Sequence, residues 1–240
     1  MFRSDSQTAV KTLTGQPPLG SLTVAAGSLA AGLTVLCLAA GTPVLVTLFI
    51  FAAVLVLIVQ GLVHHYPHRD LGLCNVITLA RVAMVAFLAG AVSDQDVSVW
   101  IVFSVATVAF ALDGLDGVLA RRSGLVSDFG ARFDMETDAA LGAVLALRLL
   151  LTDSAGPEIL ILGFMRYGFV LAGLMMPALR AELPQSLRRK TICVVQISAL
   201  IFLLFPASRA GLMLPVSVGA ALLLTWSFAV DVVWLLRRAP

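Results

Sequence analysis

The chain alternates long apolar stretches with short polar ones. Eight apolar segments stand out, at about 19–40, 43–63, 73–92, 97–118, 133–152, 157–179, 191–206 and 211–236. Several reach the roughly 20 residues that an α-helix needs to cross a bilayer. The pattern predicts helices, because a membrane β-barrel shows short segments of strictly alternating polarity. The connections are short, as expected for antiparallel neighbouring helices. Residues 1–18 are mostly polar, carry Arg3 and Lys11 and end on Pro17-Pro18. They are expected to be interfacial or disordered rather than a cleaved leader, since a second span follows the first almost at once across Gly41-Thr42-Pro43. No internal repeat is visible.

Composition sharpens this reading. Of 240 residues, 60% are hydrophobic and 12% charged, whereas soluble domains carry about a quarter charged residues. The fold class is therefore an all-α polytopic membrane protein with no room for a separate soluble domain. The net charge of +2 says little, but its placement says more. One set of loops and ends holds Arg3, Lys11, Arg69, Arg121, Arg122, Arg132, Arg180, Arg188, Arg189, Lys190, Arg237 and Arg238. The alternate set holds Arg209 alone. The positive-inside rule then puts both termini in the cytoplasm, in a bacterial case at the inner membrane. Arg81, Arg148 and Arg166 fall within spans. Arg148 is near the outer end of its helix and is expected to snorkel, while Arg81 and Arg166 need partners. There is no exposed basic domain to suggest nucleic-acid binding. Cys37, Cys74 and Cys193 form no CxxC pair and read as small core residues.

The acids are concentrated at one place. Six of the chain's 14 lie between positions 113 and 138. On a helix, Asp113, Asp116, Gly117, Ala120 and Arg121 share one face, at i, i+3, i+4, i+7 and i+8. On the next helix Gly130, Asp134 and Asp138 share a face, at i, i+4 and i+8. The short link between them brings the two faces together at the cytoplasmic boundary. Ionised carboxylates there are expensive unless paired. Four of them repel one another and raise each other's pKa unless a cation is present. Carboxylate oxygens suit a hard ion such as Mg²⁺ or Mn²⁺, and a site with two ions can hold a diphosphate and orient an attacking hydroxyl. Arg121 can add a phosphate contact, and the small Gly117 and Ala120 leave room for a ligand. The plainer reading is a set of solvated helix-end carboxylates against Arg122 and Arg132; the helical phasing of all four aspartates argues against it.

This run resembles the signature of the CDP-alcohol phosphatidyltransferases, DxxDGxxAR followed by eight residues and GxxxDxxxD. All eight fixed positions are present: Asp113, Asp116, Gly117, Ala120, Arg121, Gly130, Asp134 and Asp138. The resemblance implies a six-helix catalytic core, here within 64–240, with the helices at 19–63 as two additional transmembrane segments. It implies phospholipid biosynthesis: transfer of a phosphatidyl or phosphoalcohol group from a CDP-linked lipid donor, such as CDP-diacylglycerol, to an acceptor alcohol, with release of CMP. By the same resemblance Asp113, Asp116 and Asp134 are chiefly metal ligands, and Asp138 lies near the metals and acts as the base towards the acceptor. Gly117, Ala120, Arg121 and Gly130 line the nucleotide. A homodimer is compatible with the family.

Other segments support or qualify this. Asn75, Thr78 and Arg81 stand at i, i+3 and i+6 on one side of an apolar helix. They read either as interhelical hydrogen-bonding groups or, by resemblance to the family's Pro-Asn-x-x-Thr-x-x-Arg helix, as nucleotide-binding residues. Here Cys74 replaces the proline. Arg166 is expected to bind an acceptor phosphate or to neutralise a buried acid such as Asp231. Arg188-Arg189-Lys190 reads as a positive-inside cluster and resembles the family's basic loop, which makes Lys190 a second acceptor candidate. His64, His65 and His68 are expected at an interfacial helix end rather than on a metal, with Tyr66 as an interfacial anchor. Gly27, Ala31 and Gly32 can pack a helix pair or a dimer. Two other classes remain open: a membrane prenyltransferase using Mg²⁺-diphosphate, whose aspartate motifs are well separated, and a divalent-cation transporter, which usually places polar groups near the midplane.

Overall fold

A computed structural model describes the backbone of residues 18–66, 68, 70–92, 94, 96–123, 127–181, 186–207 and 210–238, and the side chains of these residues apart from 115–123, 180, 210 and 238. Among the described residues there are eight α-helices and no strand: α1 Leu19–Ala40, α2 Val44–His65, α3 Gly72–Val92, α4 Val99–Ser123, α5 Asp128–Leu151, α6 Ile159–Met175, α7 Leu187–Leu204 and α8 Ala210–Arg238. The protein is a helical membrane protein, as its hydrophobic pattern predicts.

Local chemistry sets the helix ends. Gly41 closes α1 in the left-handed conformation, at φ 75°, and the Thr42 N–H returns to the Cys37 carbonyl at 3.0 Å. Pro43 then stands just before α2. Apolar character alone continues to about residue 179, but α6 stops at Met175. Met176 is held extended ahead of Pro177, which opens a 3-10 turn at Pro177–Arg180. Conversely, α4, α5 and α7 run beyond their apolar stretches into charged sequence at the expected cytoplasmic end. Ser127 caps α5 by accepting the Gly130 N–H at 3.0 Å, so that this helix begins at Asp128, about five residues before its apolar part.

Helix α3 is the centre of the bundle. It packs against α1, α2, α4 and α5; α5 reaches on to α6 and α7, and α8 closes against α6 and α7. Most of α3 is buried, from Cys74 to Val92. Helices α1 and α2 bury one narrow stripe each, through Leu22, Ala26, Leu33 and Cys37 and through Thr47, Phe51, Ile58 and Leu62. Their remaining faces expose large apolar side chains such as Val24, Leu45, Phe49 and Leu57, as lipid contact requires. Gly27, Ala31 and Gly32 are exposed on that outward face, and a Cβ on either glycine would meet nothing within 4 Å among the described residues.

Small residues set the closest approach. A Cβ on Gly163 of α6 would lie 2.5 Å from the Ala146 side chain of α5, which explains why glycine stands there. Four helices, α1, α2, α3 and α8, are long and apolar enough to cross a membrane by length and composition alone. Among the described residues Val99–Gly114 of α4 and α6 are apolar but shorter, and charged residues lower α5 and α7.

Arg148 does not snorkel. Its side chain is buried and donates to the carbonyl oxygens of Ala91, Asp94 and Val97 at 2.6, 2.9 and 3.3 Å. These lie at the end of α3 and in the following loop, where a helix leaves carbonyls without internal donors. A cation at a helix C-terminus also meets the negative end of its dipole.

Candidate active site

Three helices converge at the acidic cluster. Helix α4 supplies Asp113, α5 supplies Asp134 and Asp138 one turn apart, and α3 supplies Arg81. One carboxylate oxygen from each aspartate lies within 4.8 Å of the others. Their side chains are 26%, 38% and 19% exposed in that order. They therefore sit at a boundary, reachable from solvent but not surrounded by it. The spacing of four within α5 brings Asp134 and Asp138 to one face, and the antiparallel return from α4 brings Asp113 to them. Asp116, Gly117, Ala120 and Arg121 follow Asp113 in unbroken helical register. Their side chains lie outside the described residues.

Arg81 joins the carboxylates instead of facing away from them. Its side chain is fully buried. Nη1 pairs with Asp113 at 3.1 Å and with Asp134; Nη2 pairs with Asp138; Nε donates to the Ala109 carbonyl at 3.1 Å. A guanidinium presents planar donors in a fixed fork, which is why one side chain serves three acids from two helices.

The other two polar residues of α3 also make hydrogen bonds near by in the chain. Asn75 donates through Nδ2 to the Tyr66 hydroxyl at 3.0 Å and to the Leu71 carbonyl at 2.6 Å. A Cβ on Gly130 would stand 3.4 Å from Asn75 Oδ1, so Asn75 lies directly beside the motif glycine. Thr78 donates to the Cys74 carbonyl at 3.0 Å within its own helix. Tyr66 is a hub, not a surface anchor. It is 6% exposed, its hydroxyl reaches the carbonyls of Asp70 and Leu71, and its ring meets Phe129 edge to face at 5.7 Å. Burial pushes its phenol above the ordinary tyrosine range.

Arg166 pairs with Glu136 of α5, at the edge of the site, and not with Asp231. Asp231 is taken by Arg188, which also donates to the Ser227 carbonyl and hydroxyl at 2.6 and 2.7 Å and stacks over Trp226. Lys190 is exposed in the first turn of α7. Cys37 and Cys74 are buried, as expected of core residues. Cys193 has a second neighbourhood: its Sγ lies 4.0 Å from Asp138 Oδ2. His64 bonds its own helix at the Gln60 carbonyl, and His68 packs on the Tyr66 ring. Sequence reasoning missed Glu136, Phe129 and the structural role of Tyr66. Glu136 lies between the two motif aspartates but on another face of α5, and the partnerless Arg166 was the signal for it.

The donor set fits a divalent cation. Asp113, Asp134 and Asp138 offer three hard oxygen ligands from two rigid helices, near enough to share one ion. An all-helical membrane bundle with a carboxylate centre near one end is compatible with an enzyme that handles phosphorylated substrates. The chain matches the profile of the CDP-alcohol phosphatidyltransferases over residues 71–233, from just before α3 into α8, and it belongs to that family. The family transfers groups from CDP-alcohol donors to alcohol acceptors and depends on a divalent cation. No curated protein and no solved structure matches the chain. Membership decides against the prenyltransferase and transporter readings of the aspartates.

Proposed function

We propose that the protein transfers the phosphatidyl group of CDP-diacylglycerol to an acceptor alcohol, releasing CMP, in phospholipid biosynthesis at a bacterial inner membrane. The observation that carries this is the convergence of Asp113, Asp134 and Asp138 oxygens within 4.8 Å at the end of the bundle expected to face the cytoplasm. Asp113, Asp116, Asp134 and Asp138 would hold the divalent ions, Mg²⁺ or Mn²⁺ and two in number, which when bound would supply positive charge to the diphosphate and to the departing CMP.

The chain's own residues do the rest. The acceptor oxygen attacks the β-phosphorus, which carries the lipid alcohol. The bond to the bridging oxygen breaks, and its electron pair leaves with CMP. Asp138 takes the acceptor proton, directly or through one water. Its Oδ1 is held by Arg81, while Oδ2 points towards Cys193 of α7. Gly117, Ala120, Arg121 and Gly130 lie along the nucleotide, with Asn75, Thr78 and Arg81 from α3 beside them. Arg166 and Lys190 receive the acceptor, most simply one that carries a phosphate. The six helices from α3 onward form the catalytic unit, and α1 and α2 are additions to it.

The test is CMP release by purified protein in liposomes with CDP-diacylglycerol, Mg²⁺ or Mn²⁺ and a panel of alcohols. The expected outcome is release that depends on one acceptor, is abolished by a chelator and falls about 10²–10⁴-fold in Asp138→Asn, the range for loss of a general base. Release that survives both treatments would sink the assignment.

A further inference from the structure

Arg81 contacts the same carboxylates that would hold a divalent cation. The guanidinium is fully buried, and it contacts all three carboxylates that fit the ion. Asp113, Asp134 and Asp138 with one guanidinium leave two net negative charges, and Asp116 of the proposed ligand set adds a third; one divalent ion cancels two of them. A second divalent ion must share its ligands with a fixed positive charge. Two cations at ion-pair distance on the same carboxylates repel each other, and burial of the guanidinium weakens the screening of that repulsion. We propose that Arg81 is a resident counter-ion of the acidic centre, holding Asp113, Asp134 and Asp138 together and competing with the divalent cation for them.

Several features favour this over a purely structural arginine. The fork spends both terminal nitrogens on the carboxylates, and Nε donates to a backbone carbonyl, that of Ala109. The Nε bond anchors the side chain against α4, four residues before Asp113, so the guanidinium can release a carboxylate without leaving the site. A guanidinium released by an incoming ion stays where the diphosphate of the donor binds, and a phosphate offers the same bidentate acceptor geometry as a carboxylate. Arg81 thus has a partner before and after the ions are loaded. The inference rests on the proposed metal site.

Mn²⁺ binding tests it without reference to turnover. The free Mn²⁺ signal in electron paramagnetic resonance gives the affinity of purified protein in detergent, and thermal melts with and without Mn²⁺ give the stability. Arg81→Gln is expected to bind Mn²⁺ about tenfold tighter or more, since it loses a full charge beside the ion, and to melt lower without Mn²⁺ but not with it. Arg81→Lys, with a charge but no fork, is expected to fall between. Equal or weaker Mn²⁺ binding in a folded variant overturns the proposal. If neither variant folds, the infrared guanidinium bands of ¹³C-arginine-labelled protein decide it, in an Arg121→Lys background. The expected result is a shift on adding Mn²⁺, and an unchanged band overturns the idea. If wild type and Arg81→Gln both fail to bind Mn²⁺, the metal site itself falls. If wild type binds and the variants bind no tighter, only the role of Arg81 falls.

Discussion

Arg148 carries a buried charge whose three described acceptors are backbone carbonyls, not acids. Its removal therefore takes a donor from three carbonyls at the C-terminal end of α3 and in the loop after it. Arg148→Met is expected to lower stability by about 2–4 kcal/mol, since each buried unsatisfied group costs roughly 1–3 kcal/mol. Thermal melts would read this, and Mn²⁺ affinity should stay unchanged. The residue shows what a sequence reveals about a charged side chain in a span. That Arg81 and Arg166 need partners was legible, because a lone cation is untenable in apolar surroundings. Which partner each takes was not, because the acids lie more than 25 residues away and the pairing depends on helix rotation. Arg166 meets Glu136, and the expected Asp231 belongs to Arg188. The four motif aspartates were legible for a different reason: their spacing is local, and 3.6 residues per turn converts spacing into a shared face.

At the scale of an element, the start of α5 is the most constrained point near the site. Phe129 wedges against Gly61 of α2, where a Cβ would lie 2.7 Å from the ring. Its other side meets Tyr66. Gly61→Val is thus expected to destabilise the protein by about 1–3 kcal/mol, the usual cost of overpacking. Adding Phe129→Leu should recover most of it, and a double-mutant cycle in thermal melts measures the coupling. The contact gives α2 a place in the site's support, although α2 lies outside the family match. Hydropathy could not reveal this. Apolar content marks the part of a helix in lipid, whereas α5 starts at its Ser127 cap, in charged sequence. Losing that cap in Ser127→Ala is expected to cost about 1 kcal/mol.

Across the whole molecule, the number and order of the helices could be read from the sequence, and their arrangement could not. Spans that are apolar all round carry no stripe that points to a neighbour, so the central position of α3 had to come from the structure. Orientation is a property of the whole chain. Twelve basic residues on one set of loops and ends, against one on the other, lead to a definite expectation. Reporters fused at either terminus should report the cytoplasm, and one inserted at 153–156 the opposite side. Opposite sides for the two termini would refute an even number of crossings.

The buried Arg81 also bears on how the protein is made. Two of its carboxylates follow it by 53 and 57 residues in the chain, so α3 emerges from the ribosome with an arginine that has no acid to meet. An arginine at mid-span adds about 2.5–3.5 kcal/mol to the cost of inserting such a helix alone. By then α1 and α2 have been synthesised, both strongly apolar, and both pack against α3 in the finished fold. The α1–α2 hairpin thus precedes α3 out of the ribosome and offers the charged helix a protein surface before its acids arrive.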